Sequence, residues 1–346
     1  MKKRLLALLI VCVMIVGLMA CGNNAPAPSP EPSPAAPATP NEPTGETEEP
    51  DVEINWPASV EFVVPAGPGG DTDFNARILA AELSDRLPPN FIVSNVTGGG
   101  GGIGLREVAT SPADGSRAVV FHSAFMVGQH VGTVDFGFEA YDMVGIIAAS
   151  PGFVLVAREE LGITTMEELR AATEANPGQL RLGIESGAFS FALAALLVEA
   201  GFDMNVVDAG PGAERIAAML GGHVDLIVLA FGPLADHIYE GTFVALGIDG
   251  ATDLEVEGFD IIPSFHGAGI LDRIMPFYYF MAFPAGTDPN MIAAIQAELT
   301  DFIFNDADYA AAIASSYRQI PTFIPGDEAL AAFDLLDQVL STIDFN

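Results

Sequence analysis

Val63-Val64-Pro65-Ala66-Gly67-Pro68-Gly69-Gly70-Asp71-Thr72-Asp73-Phe74-Asn75-Ala76-Arg77 passes from an apolar strand pattern through a glycine turn into a helical one. Glycines 67, 69 and 70 reach backbone conformations closed to other residues, and without Cβ atoms their N–H groups can approach a ligand closely. Those groups stand at the start of a helix, where unpaired donors and the helix dipole favour an anion such as a carboxylate. Phe74, Ile78, Ala81 and the Leu79/Leu83 pair continue at helical spacing. The segment therefore reads as strand, binding turn and helix, with Thr72 or Asp71 as the expected helix cap.

Outward from this unit, strand-like runs alternate with helical patterns, the signature of an α/β protein with mostly parallel sheets. Strand 60–65 leads into a helix over about 72–87, 91–96 into the glycine run 98–102, and 118–121 into a polar turn at His122-Ser123. Strand 154–157 precedes a helix opened by Thr165-Met166-Glu167-Glu168, a capping box. Strand 180–184 enters a small-residue turn and the helix 189–200. Strand 205–207 enters Pro211, expected at the first position of a helix that stops at Gly221-Gly222. Strands 224–229 and 243–248 complete that block. The aromatic run Phe277-Tyr278-Tyr279-Phe280-Met281-Ala282-Phe283 reads as one more strand, after which Asp288-Pro289 opens a wholly helical remainder: 289–304, 306–315 and 327–342.

The N-terminal end has a different character. Residues 1–20 combine Lys2-Lys3-Arg4 with an apolar run over 5–16, as a secretion signal does. Leu18-Met19-Ala20-Cys21 resembles the lipobox of bacterial lipoproteins, in which cleavage exposes the cysteine for lipidation. Residues 21–56 then form a lipidated cysteine followed by a Pro- and Glu-rich tether with no packed structure. Cys12 falls inside the signal, so the mature chain keeps only Cys21 and has no disulfide framework. Past residue 20 the chain has ten arginines, no lysine and 46 acidic residues, a net charge of −36. That balance excludes nucleic acid as a partner, because nothing supplies the basic footprint that phosphates require.

Several chemistries are excluded by their own requirements. Gly99-x-Gly101-x-x-Gly104 matches a dinucleotide fingerprint formally, but the next strand ends at Phe121-His122-Ser123 without the acid that holds a ribose. Asp71-x-Asp73-x-Asn75 with Glu82 has the spacing of a calcium loop, yet Ala76 stands where that loop needs glycine, and the residues lie on a helix. The five histidines (His122, His130, His223, His237, His266) show no metal-ligand pairing. No nucleophile elbow or Walker loop is present, so neither an enzyme activity nor a cofactor is expected. Arg77, four positions into the first helix, reads better as half of an ion pair than as a ligand contact.

The chain resembles the Bug-type solute-binding proteins, the extracytoplasmic receptors of tripartite tricarboxylate transporters. The likeness is carried by Val64-Pro65-Ala66-Gly67-Pro68-Gly69-Gly70-Asp71-Thr72-Asp73 with Ala76-Arg77, by Asn95, Gly98 to Gly102 and Gly104, and by Ser111-Pro112-Ala113-Asp114-Gly115. It continues in Pro177-Gly178-Gln179-Leu180-Arg181-Leu182-Gly183, Leu220-Gly221-Gly222-His223-Val224-Asp225 and Phe283-Pro284-Ala285-Gly286-Thr287-Asp288. The resemblance implies a two-lobed periplasmic-binding-protein-like (type II) fold with a hinge of crossing strands near 152–157 and 276–283. Lobe 1 would be 57–153 plus 277–346, and lobe 2 would be 154–276. A ligand carboxylate would lie between Pro68, Gly69, Gly70, Asp71, Thr72 and Asp73 of lobe 1 and Ser186, Gly187, Ala188, Phe189 and Ser190 of lobe 2. Ser123, in the polar turn after strand 118–121, is counted among the expected contacts. The expected protein is a monomer anchored on the outer face of a membrane, handing a dicarboxylate, tricarboxylate or amino acid to integral membrane transporter subunits. A sensor subunit signalling to a membrane kinase is the alternative. Three departures bear on specificity. Ala66 replaces an aromatic, Phe191-Ala192 lacks a histidine, and Asp208-Ala209-Gly210 replaces Tyr-Lys-Gly. Asp208, with Asp71 or Asp73, could thereby receive an ammonium, which puts an amino acid or other zwitterion level with a dicarboxylate as the ligand.

Overall fold

The computed structural model describes residues 53–345; the expected signal sequence, the expected lipidation site Cys21 and the expected tether up to residue 52 lie outside the described residues. Ile54 and Trp56, expected at the end of the tether, are partly buried against the core. The packed body thus begins a few residues earlier than the sequence implies, because two bulky apolar side chains at alternate positions can reach it.

In chain order the first half of the main elements is β1 (Ser59–Val64), α1 (Asp71–Arg86), β2 (Asn90–Asn95), α2 (Gly102–Ala109), β3 (Arg117–His122), α3 (Ala124–His130), β4 (Tyr141–Ala149), β5 (Phe153–Arg158), α4 (Met166–Ala175), β6 (Arg181–Ile184) and α5 (Phe189–Glu199). The second half is β7 (Asn205–Asp208), α6 (Gly212–Leu220), β8 (Leu226–Ala230), α7 (Phe231–Tyr239), β9 (Phe243–Asp249), β10 (Tyr278–Pro284), α8 (Pro289–Asn305), α9 (Ala307–Tyr317), β11 (Ile320–Pro325) and α10 (Gly326–Leu340). They build a six-stranded sheet in the order β11-β4-β10-β3-β1-β2 and a five-stranded sheet in the order β7-β6-β8-β5-β9. Val60, Phe62, Val63 and Val64 of β1 are all fully buried. Side chains on both faces of that strand are covered, as in a sheet flanked by helices.

The α/β class agrees with the sequence reading, but the sheets are mixed where mostly parallel ones were expected. Four pairings are parallel (β1 with β2 and β3, β6 with β7 and β8), and five are antiparallel. The cause is topological. The chain leaves the first sheet after β4 and returns to it as β10, so the outgoing and returning strands run in opposite directions side by side. In the second sheet β5 lies antiparallel to both β8 and β9.

β4 and β11 are additions to the sequence reading, and β11 corrects the expectation of a wholly helical end. It carries Pro321 and Pro325 and lies at the sheet edge, where a missing N–H costs no ladder bond. Local signals are otherwise obeyed. Thr165 caps α4 by accepting from the Glu168 N–H at 3.2 Å, while the Glu168 carboxylate takes the Thr164 N–H at 2.8 Å, one residue earlier than an ideal capping box. Asp288 caps α8 ahead of Pro289. Pro211, expected at the first helical position of α6, is instead its N-cap, one residue earlier, and Gly212 is the first helical residue.

The two sheets are joined by Ser150-Pro151-Gly152 and by the return through residues 250–277, and no strand is shared between them. These joining segments touch, for Ser150 N–H donates to the Phe277 carbonyl at 2.9 Å. Gly152 has φ +140°, and a Cβ there would lie 2.4 Å from the Asp249 carbonyl oxygen. The Asp249 side chain is 3% exposed, with one carboxyl oxygen unpartnered. Burial pushes this carboxyl up to about 7, only partly offset by the N–H of Met275. The folded state thus keeps a proton that the unfolded chain releases near pH 3.8. Stability from this group is complete below that pH and is lost as pH rises through about 7. Asp249→Asn should therefore be more stable than wild type at mildly alkaline pH by about 2–4 kcal/mol, with the gap closing toward pH 4. Chemical denaturation at both pH values checks this, and a pH-independent gap would mean that the carboxyl ionises freely.

Candidate functional site

The loop between β1 and α1 is locked from several sides. Asp73 Oδ2 accepts the Gly69 N–H and Arg77 Nε, each at 2.9 Å. Asn95 Nδ2 donates to the Ala66 carbonyl at 3.0 Å, and the Tyr317 hydroxyl donates to the Gly69 carbonyl at 2.7 Å. Gly69 has φ +78°, a conformation that glycine adopts without strain. The N-cap of α1 is Gly70, with no side-chain cap. This corrects the expected capping by Thr72 or Asp71: Asp71 is already the first helical residue. Its Oδ1 accepts the Thr72 N–H at 2.7 Å and its Oδ2 accepts the buried Tyr279 hydroxyl at 2.6 Å. Among the described residues the N–H groups of Gly70 and Asp71 have no partner in the protein. Gly70 and Asp71 line a cleft of about 770 Å³ between the two sheets.

Two helix starts of the second sheet line the opposite wall. After β6 the chain turns through Glu185-Ser186-Gly187-Ala188, with Gly187 at φ +74° and Ala188 N–H donating to the Glu185 carbonyl at 3.1 Å. Ser190 Oγ accepts the Glu185 N–H at 3.0 Å, which pins the first turn of α5 to the strand end. Pro211, Gly212 and Ala213, at the start of α6, line the cleft beside it. Three helix N-termini therefore open into one space, and the partial positive charge of each favours an anion there.

The glycine run closes one end. Gly98, Gly99, Gly100 and Gly101 all have positive φ, and a Cβ on Gly101 would lie 2.6 Å from the Phe121 ring. The run packs against the Phe121 ring and the Gly187 loop. Phe153, Phe189 and Phe277 form a cluster with centroid separations of 4.7, 4.8 and 5.0 Å. His122 stacks on Phe121 at 4.0 Å and meets Phe277 at 4.8 Å.

The expected site residues divide as follows. Pro68, Gly69, Gly70, Asp71, Thr72, Ala188, Phe189 and Ser190 line the cleft. Asp73 lies beneath the loop as its lock. Arg77 pairs with Asp73 and Asn95. Ser123 is fully buried, accepting the Tyr278 N–H at 2.8 Å beside the returning strand. Ser186, Gly187 and Asp208 are not among the lining residues, and Asp208 accepts the Gly210 N–H at 2.9 Å and is held low by its hydrogen bonds with Ser186 and Gly210. Asp73 and Asp208 are outside the cleft lining, and the acids that line it are Asp71 and Glu185. Sequence reasoning missed Arg215, Glu185, Tyr279 and Tyr317. A hollow of about 1080 Å³ lies along β9 and residues 258–265, but its one cation, Arg170, is stacked on Phe202 at 4.2 Å.

Two α/β sheets flanking a cleft with convergent helix starts define a periplasmic-binding-protein-like fold. The tripartite tricarboxylate transporter family receptor matches residues 75–314, and the chain belongs to that family of solute-binding receptors. BugT of Bordetella pertussis is 26% identical over 254 residues, 72% of this chain and 77% of the relative. Among solved structures, MatC from Rhodopseudomonas palustris with bound malate is 20% identical with a TM-score of 0.69, over 82% of this chain and 95% of that one. A second R. palustris protein, with adipate, is 20% identical with a TM-score of 0.70, over 83% and 95%.

Burial pulls the His122 imidazole down to about 4, against the opposing pull of Asp71. Its Nδ1 accepts the Ala124 N–H at 3.3 Å, so the neutral ring carries its proton on Nε2. Nitrogen NMR should show the His122 ring neutral down to about pH 4; a midpoint near 6.5 would mean that the ring is solvated.

Proposed function

We propose that this protein is an extracytoplasmic receptor that captures a small carboxylated compound between two lobes and delivers it to a tripartite-type membrane transporter. The lobes are 57–153 with 277–346, and 154–276. The observation that carries the reading is that Gly70 and Asp71, whose N–H groups have no partner among the described residues, line one aromatic-walled cleft together with the starts of α5 and α6. Backbone donors at helix starts bind a carboxylate without a dedicated basic residue, and the aromatic walls exclude water from the remainder of the ligand. The malate and adipate bound to two proteins of the same fold support this class of ligand.

The ligand closes the lobes by making contacts with both that exist only in the closed form. Lipidation at Cys21 holds the receptor on the outer membrane face as a monomer, with the tether as spacer. No helix among the described residues is long and apolar enough to cross a membrane.

Native mass spectrometry of freshly purified protein should retain a small acid, and calorimetry with malate, adipate and glutamate should find a binder. Gly70 has ordinary φ, and a Cβ there would have only the Gly67 carbonyl oxygen near it, at 3.7 Å. Gly70→Val therefore keeps the fold while filling the cradle, and should weaken binding by roughly tenfold or more. Unchanged affinity would put the site elsewhere.

A further inference from the structure

Arg215 is the cation of the cleft, and its hydrogen bonding is incomplete. It sits in the first turns of α6, is 4% exposed, and lines the cavity together with Glu185. A guanidinium carries five N–H donors. Here Nη1 donates to the Val228 carbonyl at 2.6 Å, Nε has no partner, and Nη2 stands 3.8 Å from Glu185 Oε2, beyond hydrogen-bond length. Burial pulls the guanidinium down to about 10, opposed by the charges of Glu185, Asp208 and Asp71. A buried cation with unspent donors is costly unless something completes its shell. Glu185 is a poor partner at this distance, and its own environment disfavours its charge. Burial and the neighbouring Asp208 and Glu214 raise its carboxyl, and Arg215 only partly compensates.

We propose that Arg215 anchors an acidic group of the ligand, and that Glu185 is the internal stand-in for that group, displaced when the ligand enters. This rests on the receptor reading and refines it: backbone donors of the Gly70 loop hold one carboxylate, and the Arg215 fork holds a second acidic group from the opposite wall. The ligand is then a dianion with acids at both ends, in preference to a zwitterion. The guanidinium geometry suits a carboxylate bidentately, and an ammonium in its place would not supply that fork.

A purely structural Arg215, fastening α6 to β8 through Val228, predicts different behaviour from an anchor. The test is calorimetry on the full chain with adipate and malate as probes. Glu185→Gln keeps the shape but removes the competing charge, and should tighten binding roughly tenfold. Arg215→Met should weaken it by about thirtyfold or more, and Arg215→Lys should fall between. In the double variant the gain from Glu185→Gln should disappear, because no cation is left for it to release. If Arg215→Met does not fold, Glu185→Gln and its combination with Arg215→Lys, where the gain should shrink, carry the same decision. Wild type that binds a probe while Glu185→Gln gives no gain, or a gain that persists without Arg215, overturns the anchor and leaves the receptor reading standing. Wild type that binds neither these probes nor glutamate overturns the receptor reading and the anchor together.

Discussion

The Asp73 carboxylate is the interaction on which the cleft depends. It lies in the first turn of α1, is 3% exposed, and spends one oxygen on both the Gly69 N–H and Arg77 Nε. Burial alone would push this acid up, but the hydrogen bonds from Arg77 and Gly69 outweigh it and hold the carboxyl below its usual range. The turn is thus fixed by a charge-assisted bond while the next two N–H groups stay unspent. A glycine loop without such a lock would lose conformational entropy on gripping a ligand; here that ordering is already done on folding. Tyr317 and Asn95 complete the constraint from distant parts of the chain.

The same economy governs the joint between the sheets. Phe153 opens β5, Phe189 opens α5 and Phe277 ends the return segment, so a three-ring contact ties both connections to the wall of the site. Tilted rings at such separations gain from their quadrupoles as well as from burial. Ser150 and Phe277 share a backbone hydrogen bond at the same level. Motion of one sheet against the other must therefore rearrange cavity-lining residues, which is the physical coupling that ligand-driven closure requires.

Much of this was legible in the sequence because local physics forced it. The glycine turn, the starts of α4 and α8, and the alternation of strands and helices follow from periodicity and backbone freedom. β4 and β11 were not legible. β4 has no polar alternation because it is buried on both faces, and β11 carries prolines that argue against a strand away from an edge. At the cleft, residues within one local turn could be singled out from the sequence, whereas those acting across the fold could not. Tyr317 holds Gly69 over a separation of 248 residues, and Tyr279 holds Asp71 over 208. Arg215 left one faint signal: it is among only ten arginines past residue 4 in a chain that has no lysine there.

That scarcity gives the cleft its electrostatic character. The chain carries a net charge of −33, so its far field opposes an approaching anion and slows encounter at low salt. At physiological ionic strength the opposition fades beyond about 8 Å, and the local arrangement decides. Most other arginines are neutralised by close acids: Arg158 and Arg181 converge on Asp225, Arg117 on Glu61, and Arg273 on Glu199. The cleft instead presents three helix starts and a cation whose partner stands at 3.8 Å. On the proposed reading, an acidic exterior around these donors disfavours anions that cannot reach them. It thereby ties selectivity to short-range fit, and an anion that fits is held by donors desolvated in advance.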